Sequence, residues 1–356
     1  MEDGSRILVF DGHNDTLLKL HPAVEGEGRS FFERADEGHI DLPRAREGAL
    51  GGGMFAVFVP HEDDLKETDP ESPEAEEEPE VRTFRTPELA YSQQTAMGMV
   101  AKLFRLEADS GGRLEVVRTA SQLDTCLRTG VFAAVLHFEG AEAIDPGLDA
   151  LAVYYEAGLR SLGIVWSRSN AFGHGVSFGF PSSPDTGPGL TDAGLDLVRA
   201  CNQLGIVVDL SHLNEKGFWD VARVSDAPLV ATHSAVYALC PSARNLTDPQ
   251  LDAIGESGGL VGVNFHVGFL RADGEKEVET PIAEIVRHID YIATRLGIEH
   301  VALGSDFDGA TMPAELGDVT GLPRLLNALG SQGYTSSELR KLARGNWLRV
   351  LRQTWR

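Results

Sequence analysis

Short apolar runs that read as β-strands alternate with helix-spaced stretches along this chain, and eight such runs can be counted. They lie near residues 6–11, 49–59, 131–138, 159–166, 205–211, 228–232, 258–265 and 300–305. Between them apolar residues recur at helical spacing. Leu195, Val198, Cys201 and Leu204 follow Thr191, a residue suited to an N-cap, and Gly205 closes that stretch. Ile282, Ile285, Ile289 and Ile292 repeat the pattern, and Thr335 with Glu338 forms a capping-box signature before the last helix. Strand and helix in alternation imply parallel strands. Eight units imply a (β/α)8 TIM barrel with long βα loops, whose site lies at the C-terminal strand ends. A doubly wound open sheet is the alternative, but it does not bring five separate strand ends around one point.

Several of these runs end on metal-ligand residue types. The first leads into Asp11-Gly12-His13-Asn14-Asp15, where His13 and Asp15 share strand parity. Others stop at Glu139, His212, His233 and Asp306. Three imidazoles and three carboxylates at strand ends are costly to bury unpaired, and a divalent metal centre removes that cost. His137 has the same parity as Glu139 and is expected to support the site from below.

As a set, these segments resemble the renal, or membrane, dipeptidases, a family of amidohydrolase-like metallopeptidases. The resemblance rests on Asp11-Gly12-His13-Asn14-Asp15, Phe138-Glu139-Gly140, Asp209-Leu210-Ser211-His212, Thr232-His233-Ser234-Ala235, Ala243-Arg244-Asn245, Val263-Asn264-Phe265 and Gly304-Ser305-Asp306-Phe307-Asp308-Gly309. It runs nearly end to end. It implies two divalent ions, usually Zn2+, with His13 and Asp15 on one, His212 and His233 on the other, and Glu139 bridging. A hydroxide between the ions is then the nucleophile. Asp306 would move protons as general base and then acid. Arg244 would grip the substrate's terminal carboxylate, and Asn264 would lie at the substrate. Asp308 is expected only to cap a loop.

One position departs from the family. Its best-known members place a histidine at the end of the fourth barrel strand, where this chain has Trp166. An indole donates one hydrogen bond and carries no positive charge. Trp166 is expected as a pocket wall, with Arg168 and His174 as substitutes for the missing histidine. The implied function is hydrolysis of dipeptides, L,D-dipeptides among them. Another amidase or lactonase on the same barrel, or an inactive binding homologue, are the alternatives. The departure at Trp166 keeps the first open; the intact ligand set argues against the second.

Composition excludes other classes. A net charge of -23 makes nucleic acid and anionic membranes poor partners. No run reaches transmembrane length. Cys126, Cys201 and Cys240 are odd in number and far apart, which disfavours disulfides and fits a reducing cytoplasm. Met1 to Arg6 is acidic and leads straight into strand one, so no signal peptide is expected. The whole chain, 1–356, is expected as one domain, and a homodimer is compatible with these features. From Glu62 to Glu80 there are eleven acids and a single Lys66. This stretch, at about 61–80, is expected as a mobile loop at the catalytic mouth, where its field would favour dipeptides beginning with Arg or Lys. The Gly- and Pro-rich stretch from Gly173 to Gly189 is expected to form a pocket wall.

Overall fold

The computed structural model describes residues 6–21, 29–62 and 84–356. The acidic segment singled out above lies almost entirely outside them, and with it the proposed steering of substrates. Nine strands are described: β1 Val9–Asn14, β2 Leu50–Phe58, β3 Leu114–Val116, β4 Phe132–Glu139, β5 Leu159–Gly163, β6 Val207–Asp209, β7 Val230–Ser234, β8 Leu260–Val263 and β9 Val301–Leu303. Every pairing is parallel, in the order β1-β2-β4-β5-β6-β7-β8-β9. The ends meet where Asn14 bridges Phe307. There Asp306 N–H donates to the His13 carbonyl at 3.0 Å, and Asp15 N–H to the Phe307 carbonyl at 2.8 Å. The expected eight-stranded (β/α)8 barrel is therefore the fold. β3 is the one strand that periodicity missed. Three residues are too few to show a period, and it pairs only with the lower half of β4.

The helical expectations follow the sequence chemistry closely. Thr191 Oγ1 accepts from Gly194 N–H, and Gly205 closes the helix Asp192–Leu204 at φ 75°. Thr335 and Glu338 make the reciprocal capping box. The four isoleucines of the helix Ile282–Leu296 are all buried against the barrel. Among the described residues no helix is long and apolar enough to cross a membrane.

Two features set the height of the site. The barrel floor is filled by Phe10, Met54, Val135, Val207 and Leu260, and the helix Asn346–Thr354 closes it from below. Trp347 enters there, stacks edge-on to Phe10 at 6.2 Å and donates from Nε1 to the Leu303 carbonyl at 3.0 Å. A Cβ on Gly12 would fall 2.3 Å from Trp347 Cζ2, so only glycine fits between that ring and His13 above it. Apolar side chains fill the lower barrel, and polar ones begin at His13.

His288 fastens the helix Ile282–Leu296 to the segment that follows His233. Its Nδ1 accepts from Val236 N–H at 3.0 Å, so Nε2 carries the proton donated to the Leu270 carbonyl at 3.0 Å. Burial pushes this imidazole down to about 4 from 6.5. Its stabilising effect is complete above pH 6.5 and is lost as the pH falls from 6.5 through 4, by up to about 3 kcal/mol. The unfolding free energy of the wild type should therefore approach that of His288→Gln as pH drops across that window. Parallel pH profiles for the two proteins would show that His288 does not fold as the neutral base.

Candidate metal centre

Five strand ends deliver the ligand-type side chains to one point. His13 lies in β1 and Asp15 just beyond it; Glu139 ends β4; His212 follows β6; His233 lies in β7; Asp306 follows β9. His212 and Asp306 sit at φ 67° and 63°, a left-handed backbone that costs a side-chain-bearing residue energy. In each case the strand ends and the chain turns abruptly, so that the side chain is carried over the barrel mouth.

Glu139 occupies the middle. Its Oε1 is 2.9 Å from His212 Nε2 and 3.4 Å from His233 Nε2, while its Oε2 is 3.7 Å from His13 Nε2. His13 Nε2 is also 3.4 Å from Asp15 Oδ2, and the two other imidazoles bring their Nε2 atoms within 3.0 Å of each other. Ligand atoms of His13, Glu139 and His233 lie within 4.8 Å of one another, as do those of His13, Asp15 and Asp306. The second set draws Asp306 toward the expected metal residues.

The surrounding groups aim these side chains. Thr232 Oγ1 gives its proton to Asp209 Oδ2 at 2.6 Å, so at 2.8 Å it accepts from His233 Nδ1. His233 is thereby held with its Nε2 lone pair facing Glu139. Ser167 Oγ lies 2.7 Å from His212 Nδ1 and holds that ring likewise. Asp11 accepts from the Ser305 N–H at 2.7 Å and its hydroxyl at 2.8 Å, which ties β1 to the turn carrying Asp306. Asp209, Thr232, Ser167, Asp11 and Ser305 had no role assigned from sequence, although four of them stand in the motifs quoted above. His137 bonds Ser161 Oγ at 2.9 Å and meets the His13 ring edge-on, below the cluster as expected.

The cluster fits a divalent ion. Both nitrogens of His13 are buried and have no hydrogen-bond partner. Burial pushes Glu139 well above the usual carboxylate range and raises Asp306 as well, and Asp15 adds to the shift of each. At His13 burial opposes the charge, but Glu139 and Asp15 outweigh it and push the group up to about 10. Burial, with nearby cations, keeps His212 and His233 neutral. Left to protein groups alone, Glu139 and Asp306 are disfavoured as bare carboxylates. A divalent cation balances them while taking the imidazole lone pairs as ligands.

A cavity of about 710 Å3 opens above the cluster. Asp15, Glu139, His212, Asp306 and Trp166 line it, and Trp166 is a wall as expected. The loop 173–189 contributes Phe178 and Phe180 to it. His266, which had no supporting pattern in the sequence, lines it too. Its Nδ1 accepts from Thr311 N–H at 3.1 Å. Arg244 is buried behind Ser242 and Phe269. Its Nη2 donates to the His233 carbonyl at 3.1 Å, and its Nε has no partner. Asn264 donates from Nδ2 to Asp306 Oδ2 at 2.9 Å, so the structure places it as the holder of Asp306.

Arg168 and His174, expected as substitutes for the absent histidine, are both engaged in the surrounding loops. Arg168 Nε makes a buried ion pair with Glu142 at 3.0 Å and Nη2 donates to the Val59 carbonyl. His174 pairs with Ser169 Oγ at 2.8 Å in the adjoining loop. Neither lines the cavity. Asp308 organises loops, accepting from Thr16 Oγ1 at 2.8 Å and from His39 N–H at 2.5 Å. The Asp209–Thr232–His233 relay yields a direct expectation. Thr232→Val keeps the side-chain volume but removes the oxygen on His233 Nδ1, and should weaken divalent-ion affinity roughly 10–100-fold. Competition with a chromophoric chelator measures it; unchanged affinity would show that the relay does not orient His233.

Comparison with known proteins agrees with this geometry. The profile of the membrane dipeptidase family, peptidase family M19, matches residues 4–356. A metallo peptidase from Rhodobacter sphaeroides, solved with a phosphinate mimic of the dipeptide L-Ala-D-Ala, superposes with a TM-score of 0.90. It is 47% identical, and the match covers 99% of this chain and 100% of that one. A metallo peptidase of family M19 called dipeptidase AC superposes with a TM-score of 0.87 at 47% identity, covering 99% of each chain. An uncharacterised Klebsiella pneumoniae protein from the pqqA 5′ region is 54% identical over 72% of this chain and 94% of its own. This chain belongs to the membrane dipeptidase family, peptidase family M19, and is a metallo-dipeptidase on a (β/α)8 barrel.

Proposed function

We propose that the enzyme cleaves the one peptide bond of free dipeptides, L,D-dipeptides among them, with two divalent ions. His13 and Asp15 would hold one ion and His212 and His233 the other, with Glu139 between the two sets. Two such ions, zinc by the match of imidazole and carboxylate ligands, would supply a water acidified toward neutral pH and a polarised scissile carbonyl. The observation that carries this reading is Glu139, whose two oxygens face different histidine sets.

The remaining work falls to protein side chains. Asp306 takes a proton from the attacking water and passes it to the leaving amine; Asn264 holds one of its oxygens and leaves the other for that transfer. Arg244 binds the free C-terminal carboxylate. Burial lowers its pKa only to about 10, so it stays charged at neutral pH, with a buried donor unpaired. A clamp fixed relative to Glu139 admits one residue beyond the scissile bond, which is the length rule of a dipeptidase. The L,D reading draws support from the dipeptide mimic bound by the Rhodobacter sphaeroides relative. The acidic cavity and the net charge of -23 support small cleaved peptides over nucleic acid as ligands. A single domain, a cytoplasmic place and a homodimer complete the proposal.

Elemental analysis of the purified protein should find about two divalent ions per chain, and Glu139→Ala should lose more of them than Asp306→Ala. One ion or none in folded wild type would overturn the two-ion assignment. Arg244→Ala should lower kcat/KM roughly 10–100-fold, chiefly through KM, and amidating the dipeptide C-terminus should do the same to wild type but little more to the variant. Equal cleavage of amidated and free dipeptides would move a general amidase ahead of the dipeptidase.

A further inference from the structure

One side of the catalytic cavity is a continuous wall of aromatic rings. Phe58, Trp166, Phe178 and Phe269 all line it, and each is partly exposed, Phe178 by 37%. Trp166 meets Phe58 at 5.1 Å and Phe178 at 5.4 Å, and Phe178 stacks on Phe269 at 6.2 Å. Phe84 backs the wall, stacked on Trp166 at 5.7 Å. Four rings left open to solvent inside a cleft are an apolar surface that awaits cover.

The ends of the wall identify its occupant. At one end the Arg244 guanidinium stands 5.3 Å over Phe269; at the other Trp166 lies 5.8 Å from the His212 ring. With its carboxylate on Arg244 and its amide nitrogen at the scissile bond, the substrate's C-terminal residue spans that same interval. Its Cα is bonded on both sides to groups fixed at those two ends, so its side chain leaves from between them, alongside the rings. Elsewhere the lining carries Lys19, Glu37 and His39, a polar surface left for the N-terminal residue. From this we infer that the wall is a side-chain subsite for a large apolar, preferably aromatic, C-terminal residue. The inference rests on the Arg244 clamp proposed above.

Charge argues against a cationic occupant. Arg168 already lies 5.5 Å from the Trp166 ring and 5.4 Å from Phe58, and Arg244 sits at the far end. A second cation on these faces would meet both. Arg168 is in turn held by Glu142 and by the Val59 carbonyl, so it braces the wall from behind.

The test compares Ala-Ala, Ala-Phe, Phe-Ala and Ala-Asp on metal-loaded enzyme, in whichever C-terminal configuration is cleaved. Ala-Phe should exceed Ala-Ala in kcat/KM by roughly 10-fold or more, the scale set by burying a phenyl side chain. Phe-Ala and Ala-Asp should show no such gain. Phe178→Ala should abolish the gain, bringing the ratio of Ala-Phe to Ala-Ala close to one. The proposal is overturned if the gain follows the N-terminal residue, if Ala-Asp equals Ala-Phe, or if Phe178→Ala lowers Ala-Phe and Ala-Ala alike. Binding is read separately from tryptophan emission, with Trp166→Phe as the silent control. Free phenylalanine should titrate at roughly 10-fold lower concentration than alanine, and equal titration would also overturn the subsite. Tight phenylalanine binding by an enzyme that cleaves no dipeptide would instead sink the dipeptidase reading and keep the wall.

Discussion

Everything above the barrel floor depends on keeping three carboxylates and three imidazoles buried around one point. Charges of this kind are not stable in a dry interior unless they are paired. The protein supplies few cations for the purpose: Arg244 is the guanidinium whose charge bears on Glu139 and Asp306 together. The cluster is therefore built for a ligand cation, and the barrel accepts strain to present it. Left-handed backbone at His212, Asp306 and Asp308 lies on the turns at the catalytic end of the strands. Such conformations persist where surrounding hydrogen bonds over-determine them. At Asp306 and Asp308 the Ser305 pair on Asp11 and the three bonds that the Asp308 carboxylate accepts from Thr16, Arg29 and His39 do so.

Positioning then passes outward in layers. Carboxylates on strand ends, Asp209 and Asp11, do not face the cavity. They fix Thr232 and Ser305, which in turn fix His233 and the turn before Asp306. Trp347 supports the same strands from below, with its Nε1 on the residue that precedes Gly304. The site is thus held from the floor, from the strand ends and from the βα loops, and none of the three alone sets the geometry.

The barrel and the gathering of the inner cluster were legible because both follow from short-range rules. Strand parity and strand ending determine where His13, Glu139 and His233 point, and parallel topology brings those ends together whatever the loops do. Hydrogen bonds across sequence distance were not legible. Asp209 and Thr232 are adjacent only because β6 and β7 pair, and Asp11 meets Ser305 only because the barrel closes. Arg168 shows the same limit. Its place in the sequence suggested a substitute for the histidine absent at Trp166, but Glu142, from the loop after β4, takes its guanidinium. The bond from Asn264 to Asp306 joins β8 to the turn after β9 and was hidden for the same reason. β3 escaped for a simpler reason: three residues carry no period.

The exchange of a histidine-type group for Trp166 changes what the cavity can do with its binding energy. A charged donor at the scissile carbonyl would act on the reacting centre alone. An indole there extends an apolar wall, so stabilisation shifts from the carbonyl oxygen to the side chain beside it. Energy gained from a remote side chain can still accelerate cleavage when it is used to hold the bond against the catalytic groups. In the proposed binding mode Arg244, Trp166 and Asp306 form three points around the C-terminal residue: one takes its carboxylate, one covers its side chain, and one returns the proton to its nitrogen. Three such points distinguish the two configurations at that Cα, because exchanging hydrogen and side chain would turn the side chain away from the rings. The same wall that favours bulk would therefore favour one hand, and the rigidity of its bracing by Arg168 and Glu142 sets how strictly it does so.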